Sequence, residues 1–159
     1  MKTEVIEKIG KGLKNANMIY IIGNGGSAAT ADHLAADLLK NCDLPAISLC
    51  SNLALITAIA NDISFSQIFA EQLRVLTKEG DVLVAFSTRG TSPNIVAAAK
   101  FIYEFGGTVI GVAGYDGGEL KKWSNIFYSI DSSNMQECED ETNQICHEIY
   151  KELLRYNIG

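Results

Sequence analysis

His33 and Asp37 stand four residues apart, a spacing that puts both side chains on one face wherever the surrounding residues form a helix. An imidazole and a carboxylate so placed can chelate a metal, or can sit in water as a plain His-Asp pair. Glu139 and His147 form a second pair, separated by eight residues with Asn143 between them. Eight steps at 3.6 residues per turn leave the two ends about 80° apart around a helix axis, close enough to border one cleft. Ile145, Cys146, Ile149 and Leu153 mark the neighbouring apolar stripe, so His147 can equally be a structural histidine at the margin of a core. These are the only two histidines in the chain, and each has a carboxylate on its own segment. Together His33, Asp37, Glu139 and His147 offer a nitrogen and oxygen donor set acceptable to zinc.

Two loops offer a different chemistry, the binding of an anion. Gly23-Asn24-Gly25-Gly26-Ser27 lies between an apolar run and a helical pattern. Its glycines permit positive φ and close backbone approach, and Ser27 can cap the helix and offer its hydroxyl to a ligand, while first-turn N–H groups face the same space. The same pattern also occurs as a capped turn with no ligand. It is neither a Walker loop nor a dinucleotide fingerprint, for it lacks Gly-Lys-Ser/Thr and G-x-G-x-x-G. Ser87-Thr88-Arg89-Gly90-Thr91-Ser92-Pro93-Asn94 supplies four hydroxyls and a guanidinium just before a helix with proline near its first turn. Hydroxyl-dense loops suit a phosphate monoester, which presents several acceptor oxygens. Two such loops on neighbouring strand ends make a pair of bare capped turns the weaker explanation.

The elements that must carry these groups follow from the hydrophobic pattern. Apolar runs at Met18 to Ile22, Ala46 to Cys50, Val82 to Ser87, Thr108 to Ala113 and Ile126 to Ile130 predict buried strands, continuous rather than alternating as in a parallel sheet covered on both faces. Helical patterns lie at Ser27 to Lys40, Ser64 to Lys78, Ser92 to Phe105, Gly117 to Trp123 and Asn134 to Tyr156, with an amphipathic N-terminal helix at 3–16. This alternation predicts an α/β fold, a three-layer αβα sandwich with right-handed crossovers. Ligands in such sheets bind beyond the carboxyl ends of the strands, where both small-residue loops fall.

Composition bounds the remaining possibilities. At 159 residues one domain is the default, long enough to bury a core without disulfides. A net charge of -6 with no basic run disfavours nucleic acid and anionic membranes, so an anionic ligand must be held by local groups. No apolar stretch reaches membrane-spanning length, and the charged N-terminus lacks a signal peptide's apolar segment, so the cytoplasm is expected. Cys42, Cys50, Cys138 and Cys146 form no C-x-x-C and are read as buried free thiols.

Gly23-Asn24-Gly25-Gly26-Ser27, Ala60-Asn61-Asp62 and Ser87 to Asn94, in this order and spacing, resemble the sugar isomerase (SIS) domain, and within it most closely the phosphoheptose isomerases. The likeness runs from about Met18 to Leu154. It implies a flavodoxin-like, five-stranded parallel αβα fold, a single SIS domain over 1–159 with core 18–131 and a C-terminal helix at 134–156. Position by position, Ser27, Ser87, Thr88 and Ser92 match phosphate-binding residues, with Gly25 and Gly26 in the same loop, and Asn24 and Asp62 match sugar contacts. His33, Asp37, Glu139 and His147 match the ligands of one zinc per subunit, and Asp37 and His147 also match the acid/base pair. The activity implied is aldose-ketose isomerisation of sedoheptulose 7-phosphate to a glycero-manno-heptose 7-phosphate through an enediol.

The sequence departs from the family's pattern at Asp37, usually glutamate, at Glu139, usually glutamine, and at Arg89, usually serine. Arg89 can bond to phosphate or point into solvent, and solvent is the expectation. The first strand begins as early as Met18, where the family has a longer helical lead-in that helps assemble dimers of dimers, and the connection from Leu38 to Leu44 is short. Self-association as a homodimer or homotetramer is expected. A non-catalytic SIS module, either a sugar-phosphate sensor or an adaptor of the kind that associates with replication initiators, would not need the His33, Asp37, Glu139, His147 set. Amino-sugar isomerisation or lactyl-ether cleavage on the same fold ranks last, because those relatives use longer or doubled domains.

Overall fold

The strands are β1 (Ile19–Ile22), β2 (Ala46–Ser48), β3 (Val82–Phe86), β4 (Thr108–Ala113) and β5 (Ile126–Ser129); β1, β3 and β4 are apolar on both faces because both faces are covered, while β2 leaves Ile47 exposed. Ile19, Ile21, Val84, Phe86, Ile110 and Val112 enter one buried cluster, while Tyr20, Ile22, Leu83, Ala85, Val109 and Ala113 enter another. The two lists alternate along each strand, as side chains on a pleated sheet must. The computed structural model describes residues 1–157, and its strands lie within two residues of the predicted runs at every end.

All four strand pairings are parallel, and the order is β2-β1-β3-β4-β5. The chain therefore steps outward from β1 to β2 and then crosses back to place β3 on the other side of β1. That reversal is the switch point of an open parallel sheet, and the crevice beyond it lies between the loops that leave β1 and β3. These are the two small-residue loops.

Helices α1 (Lys2–Lys14), α2 (Gly26–Asn41) and α7 (Met135–Asn157) cover the first face. α2 buries Ala31, Leu34, Ala35 and Leu38, a stripe one helical face wide, and α7 buries Ile145, Cys146, Ile149 and Leu153 on the same spacing. Asn134 caps α7, its side chain accepting the Glu137 N–H at 3.1 Å. Helices α4 (Ala70–Leu76), α5 (Pro93–Phe105) and α6 (Gly118–Lys122) contribute to the second face, α5 starting on Pro93 and ending on Gly106 at φ 92°.

Two elements differ from the sequence expectations. Ser64 to Lys78 is not one helix: a 3-10 turn at Phe65–Gln67 precedes α4, and Ile68 and Phe69 between them are drawn into the second cluster. Ahead of that turn stands an unexpected helix, α3 (Leu53–Asp62), which has no buried residue. Its inward stripe is only Ile56, Ile59 and Ala60, partly buried against the second cluster, and the apolar residues on its exposed side, Leu53, Ala54, Leu55 and Ala58, hide that periodicity in the sequence. The usable signal was its cap, Asn52, whose side chain accepts the Leu55 N–H at 3.1 Å.

Candidate active site

The first loop is shaped by two glycines. A side chain on Gly23 would collide with the Ser27 backbone, and Gly25 has φ 55° and ψ -122°, a conformation that disfavours side chains. Gly25 is the N-cap of α2, so Ser27, expected as the cap, lies instead within the first turn, where it is buried. Its N–H donates to the Asn24 carbonyl at 2.9 Å, and the Ala28 N–H donates to that of Gly25 at 3.0 Å. Two of the first-turn N–H groups are thus engaged within the turn, and the Ser27 hydroxyl becomes correspondingly more important to any anion held there.

The second loop is pinned on both sides. The Gly114 N–H donates to the Thr88 carbonyl and the Leu120 N–H to that of Gly90, both at 2.9 Å, while the buried Ser87 donates its hydroxyl to Ser92 at 3.3 Å. Asn24 and Asn94 join the two loops, each side-chain amide donating to the other's oxygen at 2.8 Å. Asn94 is 1% exposed and also accepts the Ile95 N–H at 2.9 Å. The sequence reading missed this clasp and assigned Asn24 to the sugar alone. One asparagine in each loop, both beside residues that set backbone direction, was the available hint. Between the loops lies a cleft of about 570 Å3, lined by Ser27, Ser87, Thr88 and Ser92 with Arg89 and Glu139 at its margins.

A seam of polar residues leads away from this cleft. α2 and α7 run parallel, with Glu139 against Gly26, Thr30 donating to the Asn143 side chain at 2.8 Å, and His33 beside His147. The histidine ring centroids are 5.5 Å apart, nearly edge to face, and His33 Nε2 is 3.4 Å from Asp37 Oδ2. One donor atom from each of His33, Asp37 and His147 lies within 4.8 Å of the others. Two imidazoles and a carboxylate that close are a donor set that fits zinc. Both histidines are exposed and Asp37 is half-buried, so the group is open to a ligand.

Glu139 is not part of this group. Eight residues before His147, it lies about 12 Å back along α7, where its carboxylate faces Gly26 and the cleft. Asp62 also stands apart, exposed at the end of α3 with its carboxylate accepting from Asn61 at 3.0 Å. Asp37 is felt inside the core as well: burial pushes the Cys146 thiol up to about 12, and the Asp37 charge adds to that shift.

The SIS domain family matches residues 3–114. A phosphoheptose isomerase from Clostridium acetobutylicum is 39% identical over 158 residues, covering 94% of this chain and 81% of that protein. The chain belongs to the phosphoheptose isomerase family of SIS domains. A second family member, from Nitratidesulfovibrio vulgaris, is 43% identical over 124 residues, and that match spans 60% of its length. The solved phosphoheptose isomerase of Neisseria gonorrhoeae superposes with a TM-score of 0.88 at 31% identity, covering 96% of this chain and 84% of that one. The phosphoheptose isomerase fold thus accounts for all five strands. Among the described residues no helix is long and apolar enough to cross a membrane.

Proposed function

We propose that this chain is a phosphoheptose isomerase, interconverting sedoheptulose 7-phosphate and a glycero-manno-heptose 7-phosphate. The observation that carries the reading is the placement of the His33, Asp37, His147 group on the same helix pair that opens onto the hydroxyl-lined cleft. From Ser27 to His33 is about 9 Å along α2, a span suited to an extended sugar phosphate anchored at one end and reacting at the other.

In this reading Ser27, Ser87, Thr88 and Ser92 hold the phosphate and fix the sugar's direction. Asp37 and His147 move the proton: one takes it from C1, beside the C2 carbonyl, and the proton returns to C2 of the enediol to give the aldose. Asn143, exposed between cleft and histidines and already fixed by Thr30, is placed to meet the sugar's middle hydroxyls. His33, Asp37 and His147 would hold a zinc ion, with Glu139 joining only if its side chain turns from Gly26. Bound there, zinc supplies Lewis acidity that eases loss of a proton next to a carbonyl. A sensor or adaptor has no use for two imidazoles and a carboxylate beside a phosphate cleft.

Self-association belongs to the same proposal. α3 leaves Leu53 73% exposed, and Ile63 and Phe65 just beyond it are each 58% exposed. With Asp62 as its one charged residue, that helix suits a second copy of the same uncharged surface better than water. The test of function is direct. Zinc-loaded protein should convert sedoheptulose 7-phosphate to the aldose, and Asp37→Asn and His147→Ala should each lose that conversion while retaining phosphate binding. Turnover undiminished in both variants would rule out the proton-transfer roles.

A further inference from the structure

The chain has three arginines, and two of them are committed: Arg74 pairs with Glu71 and Arg155 with Glu152, each three residues back on its own helix. Arg89 has no such partner. Among the described residues it joins no ion pair, and its guanidinium stands 5.4 Å from the centroid of the Tyr115 ring. It also lines the cleft beside Ser87, Thr88 and Ser92, the one cationic side chain to do so.

Two features hold it there. The backbone on either side is tied down, Thr88 by the Gly114 N–H and Gly90 by the Leu120 N–H. Tyr115, which supports the guanidinium, has φ 55°, a conformation that non-glycine residues seldom adopt, and its N–H donates to the Ser132 carbonyl at 2.8 Å. The far margin of the cleft carries Glu139, whose carboxylate repels an entering anion. A protein of net charge -6 with a carboxylate in its phosphate cleft needs a local cation there, and Arg89 is the cation placed to serve.

We infer that Arg89 is a specificity-determining residue of this site, moving from the Tyr115 ring to donate charge-assisted hydrogen bonds to the phosphate and selecting dianionic monoesters over weaker anions. The inference deepens the isomerase reading by assigning the charge recognition of the same cleft. A planar guanidinium presents paired N–H donors that match two phosphate oxygens, which lysine cannot reproduce. The sequence left Arg89 between phosphate and solvent, with solvent expected; the side chain is exposed, and its ring contact and its place in the cleft lining are what favour the phosphate.

The test titrates inorganic phosphate into the zinc-loaded protein by calorimetry, with Arg89→Met and Arg89→Lys alongside. Methionine keeps an apolar stem against Tyr115 and removes the charge, and the position is exposed, so the fold is not at risk. Arg89→Met should weaken phosphate binding about 10- to 100-fold and flatten its dependence on salt. Arg89→Lys should recover part of the loss. With sedoheptulose 7-phosphate as substrate, the defect should fall on KM rather than on kcat. Arg89→Met that binds phosphate as tightly as the parent, or that loses kcat at unchanged KM, overturns the inference. Arg89-dependent phosphate binding without turnover upholds it and sinks the isomerase reading instead, so the two fail separately.

Discussion

Replacing Asn94 with alanine should loosen the clasp that holds the two phosphate loops together. The substitution removes both 2.8 Å bonds with Asn24 and the bond that Asn94 accepts from the Ile95 N–H. Each such bond contributes about 1 kcal/mol net. Asn24 is half-buried and can recover water, which lowers the cost, whereas the site at Asn94 is 1% exposed and leaves the Ile95 N–H without its acceptor, which raises it. The sum is about 2–3 kcal/mol, equivalent to roughly 4–12 °C in melting temperature for a chain of this length. The loops should separate as well, so phosphate affinity should fall by more than destabilisation of the whole fold explains. Differential scanning calorimetry and phosphate titration, at a temperature where the variant is fully folded, measure the two effects. A variant that melts with the parent and binds phosphate equally well would refute the idea that this pair sets the width of the cleft.

Thr30→Val removes the 2.8 Å bond to Asn143 in the middle of the α2–α7 seam, and should cost about 1 kcal/mol by chemical denaturation, with Thr30→Ser recovering most of it. The Cys146 thiol is raised from 9.0 to about 12 by burial, so between those values the folded state keeps a proton that the unfolded chain loses, and raising the pH favours unfolding. From pH 9 to about pH 10.5 this group alone should remove about 2 kcal/mol; Cys146→Ala, though less stable at pH 7, should show a shallower decline, and parallel curves would contradict the assignment. Leu53→Asp together with Phe65→Asp should shift the protein toward monomer in analytical ultracentrifugation, and an unchanged mass would show that α3 is not the interface.

The strands were legible in the sequence because burial on both faces leaves unbroken apolar runs, as in Val82 to Phe86, and the two loops were legible because strand ends and small residues mark them. α3 was hidden for the opposite reason: only Ile56, Ile59 and Ala60 are partly buried, and the apolar residues on its exposed side mask that spacing. Within the site, the four-residue spacing of His33 and Asp37 needs only one helix, and the structure keeps them together. Bringing His147 to them needs the parallel packing of α2 on α7, which no local pattern contains. Glu139 shares a helix with His147, and spacing around the axis placed both at one cleft border. The distance along the axis, about 12 Å, puts Glu139 with the phosphate loops instead. The Asn24–Asn94 clasp joins residues 70 positions apart and was invisible for the same reason.

Incubating zinc-loaded protein with sedoheptulose 7-phosphate in deuterium oxide, and following C1 of the ketose and C2 of the aldose by NMR, tests the proposed chemistry most directly. The expected result is solvent deuterium at both positions with the parent protein, and loss of exchange by at least about 100-fold in His147→Ala with phosphate binding retained. Absence of exchange in the parent, or exchange at the parental rate in His147→Ala, would contradict proton transfer at the histidine end of the α2–α7 seam.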